Sequence, residues 1–220
     1  MTKVEIIQRI IDPGLVAIMR SDSPEPLVEA AGALAEGGLS TMEITMNTPG
    51  ALAVIRRAVS QYGSRIVMGA GTVLDAETCR TAILAGAEFI VTPVVKPEVI
   101  RMCNRYGKPV ICGAYSPTEA LTAHEAGADF IKIFPADQLG PGYIRNILAP
   151  LPMLRIIPTG GVTPMTAAGY LEAGCAALAV GARLVSSEIL AGRDWGKLTE
   201  GAAVYMEAVR KARSGLIQKA

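Results

Sequence analysis

The sequence has little histidine, no excess of charge of either sign and no long apolar run, and each shortage removes a class of function. His124 is the only histidine among 220 residues, and it stands beside Glu125 in a stretch read as a helix, where a solvent-facing residue is the simplest account. A zinc-dependent aldolase or hydrolase needs several histidine or cysteine ligands, and Cys79, Cys103, Cys112 and Cys175 show no CxxC spacing. No metal site is expected. The 21 basic and 20 acidic residues are interspersed and leave a net charge of +1, so there is no electrostatic footprint for nucleic acid or a membrane surface. No apolar run approaches the roughly 18 residues of a membrane span. The first residues put Val4, Ile7 and Ile11 on one helical face with Lys3, Glu5, Gln8 and Arg9 between them, which reads as a docking helix and not as a signal peptide. The cysteines fall in apolar or helical stretches, as reduced core thiols do, which points to the cytoplasm. A small-molecule partner is expected, with the 50% hydrophobic content buried in a core or between subunits.

What is present is a weak internal repeat in which a helix ends in glycine and an apolar strand follows: EGGLSTMEI, LAGAEFIV, EAGADFIK and EAGCAALAV. Between these units lie four more apolar runs, LVAIMR, RIVMGAG, KPVICGA and LRIIPTGG. Eight strands alternating with helices make a parallel sheet, and near-continuous apolar strands are those covered on both faces. An open doubly wound sheet is the alternative. No GxGxxG turn follows the first strand, where a dinucleotide-binding fold would have one, and the spacing of the runs is even. The expectation is therefore a single (β/α)8 TIM barrel over residues 1–220, with an N-terminal helix. A terminal amphipathic helix runs from Trp195 to Ala212, with Leu198, Ala202, Tyr205, Ala208 and Val209 on one face.

Barrel chemistry sits on the loops at the C-terminal ends of the strands. Those ends offer, in order, Arg20, Glu43 with Asn47 beyond it, Thr72, Pro93, Tyr115, Lys132 with Phe134, Thr159-Gly160-Gly161, and Gly181-Ala182-Arg183. Lys132 lies in Asp-Phe-Ile-Lys-Ile-Phe-Pro, on one face with Phe130 and Phe134 at period two. Burial there favours the neutral amine, the form in which a lysine is a nucleophile; a lysine that snorkels or pairs with Glu43 is the alternative. Glu43 interrupts the apolar run Met-Glu-Ile-Thr and is either a general base or a hydrogen-bonded polar residue of the interior. The Pro158–Pro164 turn presents backbone N–H groups at a helix start, an arrangement that suits an anion but also an ordinary turn.

These residues resemble the family of 2-keto-3-deoxy-6-phosphogluconate (KDPG) and 4-hydroxy-2-oxoglutarate (KHG) aldolases. The likeness runs from about Leu15 to Val185 through Glu-Ile-Thr at Glu43, Gly-Ala-Gly-Thr-Val at Gly69, Val-Thr-Pro at Val91, Ile-Lys-Ile-Phe-Pro-Ala at Ile131 and Pro-Thr-Gly-Gly-Val at Pro158. It implies a class I lyase without metal or organic cofactor, in which Lys132 forms a Schiff base and Glu43 shuttles protons. Thr72, Pro93 and Phe134 would wall the pyruvate moiety, while Gly160 and Gly161, with Gly181 and Ala182 beside them, would hold a phosphate or distal carboxylate. Asn47 stands where the phosphogluconate-type pattern has an arginine on the keto-acid carboxylate, and Ala182 stands where it has a serine; Arg20 or Arg183 would supply the missing charge. Asn47 and the Phe-Pro-Ala-Asp-Gln-Leu-Gly-Pro stretch also resemble aldolases of the galactonate epimer. The family's usual assembly implies a homotrimer. A barrel that only binds a phosphorylated metabolite is the non-enzymatic alternative.

Overall fold

The computed structural model describes residues 1–217; residues 218–220 of the expected domain lie outside the described residues. The strands are β1 (Leu15–Met19), β2 (Thr41–Thr45), β3 (Val67–Gly71), β4 (Phe89–Val91), β5 (Val110–Ala114), β6 (Phe130–Ile133), β7 (Ile156–Pro158) and β8 (Leu178–Val180). All pair in parallel in the order β7-β6-β5-β4-β3-β2-β1-β8, and a bridge from Thr159 to Ala179 joins the two outer strands. The sheet therefore closes into the expected barrel. Around it run α1 (Lys3–Ile11), α2 (Leu27–Glu36), α3 (Ala51–Tyr62), α4 (Ala76–Leu84), α5 (Pro97–Arg105), α6 (Pro117–Glu125), α7 (Gly140–Leu148), α8 (Pro164–Glu172), α9 (Ser187–Gly192) and α10 (Trp195–Ile217).

The repeated glycines have one structural job. Gly38, Gly86, Gly127 and Gly174 have φ of +87°, +107°, +96° and +98°, the left-handed turn with which a helix ends before the chain reverses into a strand. Helices α6 and α8 start on side-chain caps: Ser116 and Thr163 each accept a bond from a backbone N–H in the first turn, with proline in that turn.

Strand side chains alternate between two cores. Leu15, Ala17 and Met19, Met42 and Ile44, Ile131 and Ile133 face outward against the helices. Val16, Val67, Phe89, Ile111, Phe130 and Ile157 face inward and fill the lower barrel. Higher up, the interior turns polar: Glu43, Lys132 and Thr159 are all buried. Gly69 makes the tight lower packing possible, because a Cβ there would lie 2.5 Å from the Phe89 ring.

Helix α1 closes the bottom, but with a different face from the one its spacing suggested. Ile6 and Ile10 are fully buried among the inward-facing strand residues, with Ile7 and Ile11 half-buried at their sides, whereas Val4 is 75% exposed. The stripe at 6, 7, 10 and 11 is the wider apolar face that a plugging helix needs, and Val4 falls outside it. Helix α10 buries Leu198, Ala202, Tyr205 and Val209 as expected, with Ala208 packed at the edge of the core. It extends past Ala212 to Ile217 and packs on α8 and α2. From it Arg213 donates to the carbonyls of Ile11 at 2.7 Å and Ala176 at 3.1 Å, tying the plug to the lead-in of β8. Truncating Ile10 to alanine is expected to destabilise the protein by about 2–5 kcal/mol, the usual cost of a buried cavity. Val4→Ala should stay within about 0.5 kcal/mol. Urea midpoints measure both, and equal effects would mean that α1 does not seal the barrel.

Candidate active site

Two ionisable side chains meet in the upper barrel. Glu43 of β2 is 1% exposed and Lys132 of β6 is 7% exposed. In register, Glu43 lies beside Ile18 on β1 and Gly69 on β3, while Lys132 lies beside Gly113 on β5 and Ile157 on β7. Space for the carboxylate comes from Gly71, where a Cβ would lie 2.6 Å from the Glu43 carboxyl carbon. At Gly113 a Cβ would strike the Pro93 carbonyl carbon at 2.1 Å. This glycine lets the end of β4 fold over β5, and Thr92 pins the turn by accepting from the Gly113 N–H at 3.1 Å and donating to the Val94 carbonyl at 2.7 Å.

The pair makes no salt bridge; the ion pairs among the described residues lie elsewhere. Oε2 of Glu43 is buried with no hydrogen-bond partner. Burial raises the Glu43 carboxyl above its ordinary range, against the opposing charges of Lys132 and Arg20. Burial likewise lowers the Lys132 ammonium, with the Arg20 charge adding to that effect and Glu43 opposing it. Desolvation dominates both groups, and both move toward their neutral forms. The Lys132 amine also lies 5.0 Å from the centre of the Phe134 ring. A cation–π contact of about 0.5–1 kcal/mol is too weak to offset the several kcal/mol lost by a buried, unpaired ammonium. That ring face does suit a more delocalised cation, such as the protonated Schiff base of a lysine.

A cavity of about 1030 Å³ opens at the ends of β1, β7 and β8. Its wall includes Arg20, Phe134, Gly160, Gly161, Gly181 and Ala182 from the sequence reading, together with Thr159 and Arg183. Lys132 and Glu43 lie behind that wall, linked to it by the Phe134 ring and by the Arg20 charge. Thr159 is 4% exposed and its Oγ1 has no partner, leaving a second unpaired buried polar atom on this side. Buried polar atoms are usually satisfied; of the three without a partner among the described residues, these two lie in the upper barrel and the third, Oε2 of Glu29, lies on α2.

Asn47, Thr72 and Pro93 are not in the cavity wall. They sit at the ends of β2, β3 and β4, across the barrel from β7 and β8. Asn47 is exposed and Pro93 is half-buried. Thr72 is half-buried with φ +56°, a left-handed conformation that is rare for a β-branched residue and costs about 1–3 kcal/mol. Strain of that kind collects at functional sites. His124 lies half-buried on α6, remote from the strand ends, and no His/Cys/Asp/Glu group suited to a metal occurs among the described residues. Gly161 has φ +70°, and a Cβ there would lie 2.6 Å from Cβ of Asp137, so that turn tolerates only glycine without movement. Sequence reading missed Asp22, Glu25 and Arg193 in the cavity wall; they lie past the strand ends in loops with no motif.

The depressed lysine has a consequence for stability. Between its native pKa and 10.5, Lys132 binds fewer protons folded than unfolded, so stability falls as pH drops through that window and the cost is complete below it. Glu43 acts oppositely: its raised carboxyl favours the fold at low pH, and that contribution is lost as pH rises from 4.5 through its native value. Lys132→Met is therefore expected to raise the melting temperature at pH 7, by about 2–4 °C for each kcal/mol recovered. The gain should shrink toward pH 10.5. Thermal melts across this range test it, and a lower melting temperature in the variant would show that the amine is not held neutral by burial.

A sequence profile described as KDPG and KHG aldolase matches residues 6–200. The 2-dehydro-3-deoxy-6-phosphogalactonate aldolase of Escherichia coli (strain K12) is 39% identical over 199 residues, which are 90% of this chain and 95% of that protein. The 2-dehydro-3-deoxy-phosphogluconate aldolase of Treponema pallidum (strain Nichols) is 34% identical over 199 residues, covering 90% and 93% respectively. A solved structure described as "Native KDPGal structure" superposes with a TM-score of 0.85 at 37% identity, covering 91% of this chain and 96% of that one. With the profile spanning most of the chain and two relatives above 30% identity along nearly its whole length, this chain belongs to the KDPG and KHG aldolase family.

Proposed function

We propose that this chain is a class I aldolase that cleaves 2-keto-3-deoxy-6-phosphogluconate, or 4-hydroxy-2-oxoglutarate, to pyruvate and glyceraldehyde 3-phosphate or glyoxylate. The observation that carries the reading is a lysine 7% exposed inside the barrel, unpaired and driven toward its neutral form beside a buried carboxyl. Neutral Lys132 attacks the C2 carbonyl; the carbinolamine hydroxyl leaves as water with the proton of neutral Glu43, giving an ionised carboxylate and an iminium that accepts the electrons of the C3–C4 bond. Ionised Glu43 takes the proton of the 4-hydroxyl as that bond breaks, then returns a proton to the enamine carbon. The forming cation offsets the desolvation that disfavours the ionised carboxylate, so base and electron sink arise together. Water then frees pyruvate and restores the amine. In this reading Thr72 and Pro93 flank the keto acid with Asn47 at the rim, and Arg20 faces its carboxylate. Phe134 and Thr159 stand at the boundary of the cavity that takes the rest of the substrate.

The galactonate epimer is the second reading, favoured by the 39% identity to the E. coli phosphogalactonate aldolase and by Asn47 in place of an arginine. The chemistry is the same for both, and a kinetic panel of the two epimers separates them. We further propose that residues 1–220 act as one barrel domain in a homotrimer, with the exposed Leu74, Val94 and Tyr115 beside the barrel mouth as candidates for subunit contact. Four free, buried thiols support a cytoplasmic location.

Incubation with pyruvate and borohydride should add one reduced pyruvate to Lys132, seen by mass spectrometry. Lys132→Arg should lose both the adduct and all but about 1% of turnover, since a guanidinium is never a neutral amine near pH 7. Glu43→Gln should still form the adduct while exchange of the pyruvate methyl protons slows about 10²–10⁴-fold, the usual contribution of a general base. Turnover retained by Lys132→Arg would end the Schiff-base assignment; wild-type exchange in Glu43→Gln would move the proton shuttle to another group.

A further inference from the structure

Three arginines face the large cavity, and none of their guanidinium groups has a hydrogen bond or salt bridge among the described residues. Arg20, Arg183 and Arg193 all line it, yet the ion pairs among the described residues involve other side chains. Some arginines elsewhere are engaged, Arg210 with both oxygens of Glu207 at 2.7 Å and Arg213 with carbonyls at the base of the barrel, while Arg105, Arg145 and Arg155 also lack a partner among the described residues; what sets the three apart is that they line the cavity. Two carboxylates, Asp22 and Glu25, share the cavity wall, so cationic groups outnumber anionic ones.

The three arginines divide by position. Arg20 directly follows β1, whose Ile18 pairs with Glu43, which places it toward the reacting carbons. Arg193 acts instead on Glu25, whose carboxyl is lowered first by its own backbone N–H, next by Ser23 and then by that guanidinium. Arg193 is also held in an unusual backbone state. It is the C-cap of α9 with φ +50° and ψ +38°, although glycine is the inexpensive residue for that conformation and Gly192 stands immediately before it. Its N–H is tied to the Leu190 carbonyl at 3.3 Å, and the next residue, Asp194, accepts from the Lys197 N–H at 3.0 Å at the start of α10. A strained, exposed arginine is thus fixed between two helix ends, its charge acting on Glu25 but held in no hydrogen bond or ion pair among the described residues. Such strain persists where the surroundings impose it and collects at binding sites.

We infer that Arg193 is a specificity residue for the distal anion: its guanidinium receives the phosphate at the end of the substrate remote from C2, with Arg183 beside it. Guanidinium and phosphate match as a charge-assisted pair with two parallel N–H···O bonds. The Gly160–Gly161 turn in the same cavity wall offers N–H groups but no formal charge, so the arginine supplies the discrimination between a dianion and a neutral hydroxyl. This inference rests on the aldolase reading and adds to it the group that makes phosphate matter.

Arg193→Gly suits the left-handed backbone and should fold. Its KM for a phosphorylated 2-keto-3-deoxy sugar acid is expected to rise at least tenfold while kcat changes less than threefold. For the same acid without phosphate, KM should move less than twofold. Arg193→Lys, which keeps the charge and loses the fork, should recover part of the difference, and inorganic phosphate should inhibit the wild type more strongly than the glycine variant. An unchanged KM for the phosphorylated acid, or an equal rise for both acids, would overturn the assignment. Borohydride trapping of pyruvate in the same samples keeps the two claims apart. A wild type that traps no pyruvate sinks the aldolase reading, whereas a trapping-competent Arg193→Gly with ordinary phosphate selectivity sinks only this one.

Discussion

An amine largely withdrawn from water is the constraint on which this molecule turns. Charging Lys132 inside the barrel costs more than the nearby Phe134 face returns, and Glu43 is itself too buried to remain ionised without compensation. Each group makes the other chemically available. A neutral amine can attack a carbonyl, and the cation that results is what stabilises the carboxylate needed for the next proton transfer. Much of the surrounding architecture serves that enclosure. Gly71 leaves a hollow for the carboxyl, and Gly113 lets the Pro93 turn close over β5. The apolar floor of Phe89, Phe130 and the other inward-facing residues keeps solvent from below.

Polarity in the barrel is stratified for the same reason. Eight strands rising together present their inward side chains in layers, and here the lower layers are apolar except for Thr41, whose hydroxyl donates to the Arg9 carbonyl at 2.9 Å, while the upper ones carry the ionisable pair and the unpartnered Thr159 hydroxyl. The lower layers provide most of the inner packing, so the upper ones are free to hold groups that would destabilise a core. Thr72 fits the same division, with its left-handed backbone at the rim supported by a rigid strand below it.

Most of the fold was legible because a strand buried on both faces must be apolar throughout, and eight such runs at even spacing leave few alternatives. Lys132 and Glu43 were legible for the converse reason: a charge inside an apolar run has to be explained. Where the signal was weaker, the reading erred or fell silent. Val4 sits at helical spacing from Ile7 and Ile11 but outside the stripe that Ile6 and Ile10 define, and short helices with apolar residues on adjoining faces do not announce which face is covered. Asn47, Thr72 and Pro93 were placed on the correct end of the barrel, but only coordinates separate the β2–β4 rim from the cavity at β7 and β8. Arg193 was invisible, since nothing in Ala-Gly-Arg-Asp says that the arginine rather than the glycine takes the left-handed turn.

The plug formed by Ile6 and Ile10 gives the barrel one open end, which fixes an order of events for the proposed reaction. The three-carbon fragment is bonded to a lysine deep in the well, and the aldehyde fragment lies between it and the mouth. Traffic through such a dead end is last in, first out: in cleavage the aldehyde departs before pyruvate, and in the synthetic direction pyruvate enters before the aldehyde. A seal at the base of the fold, far from any reacting atom, thereby makes the kinetic scheme sequential and ordered.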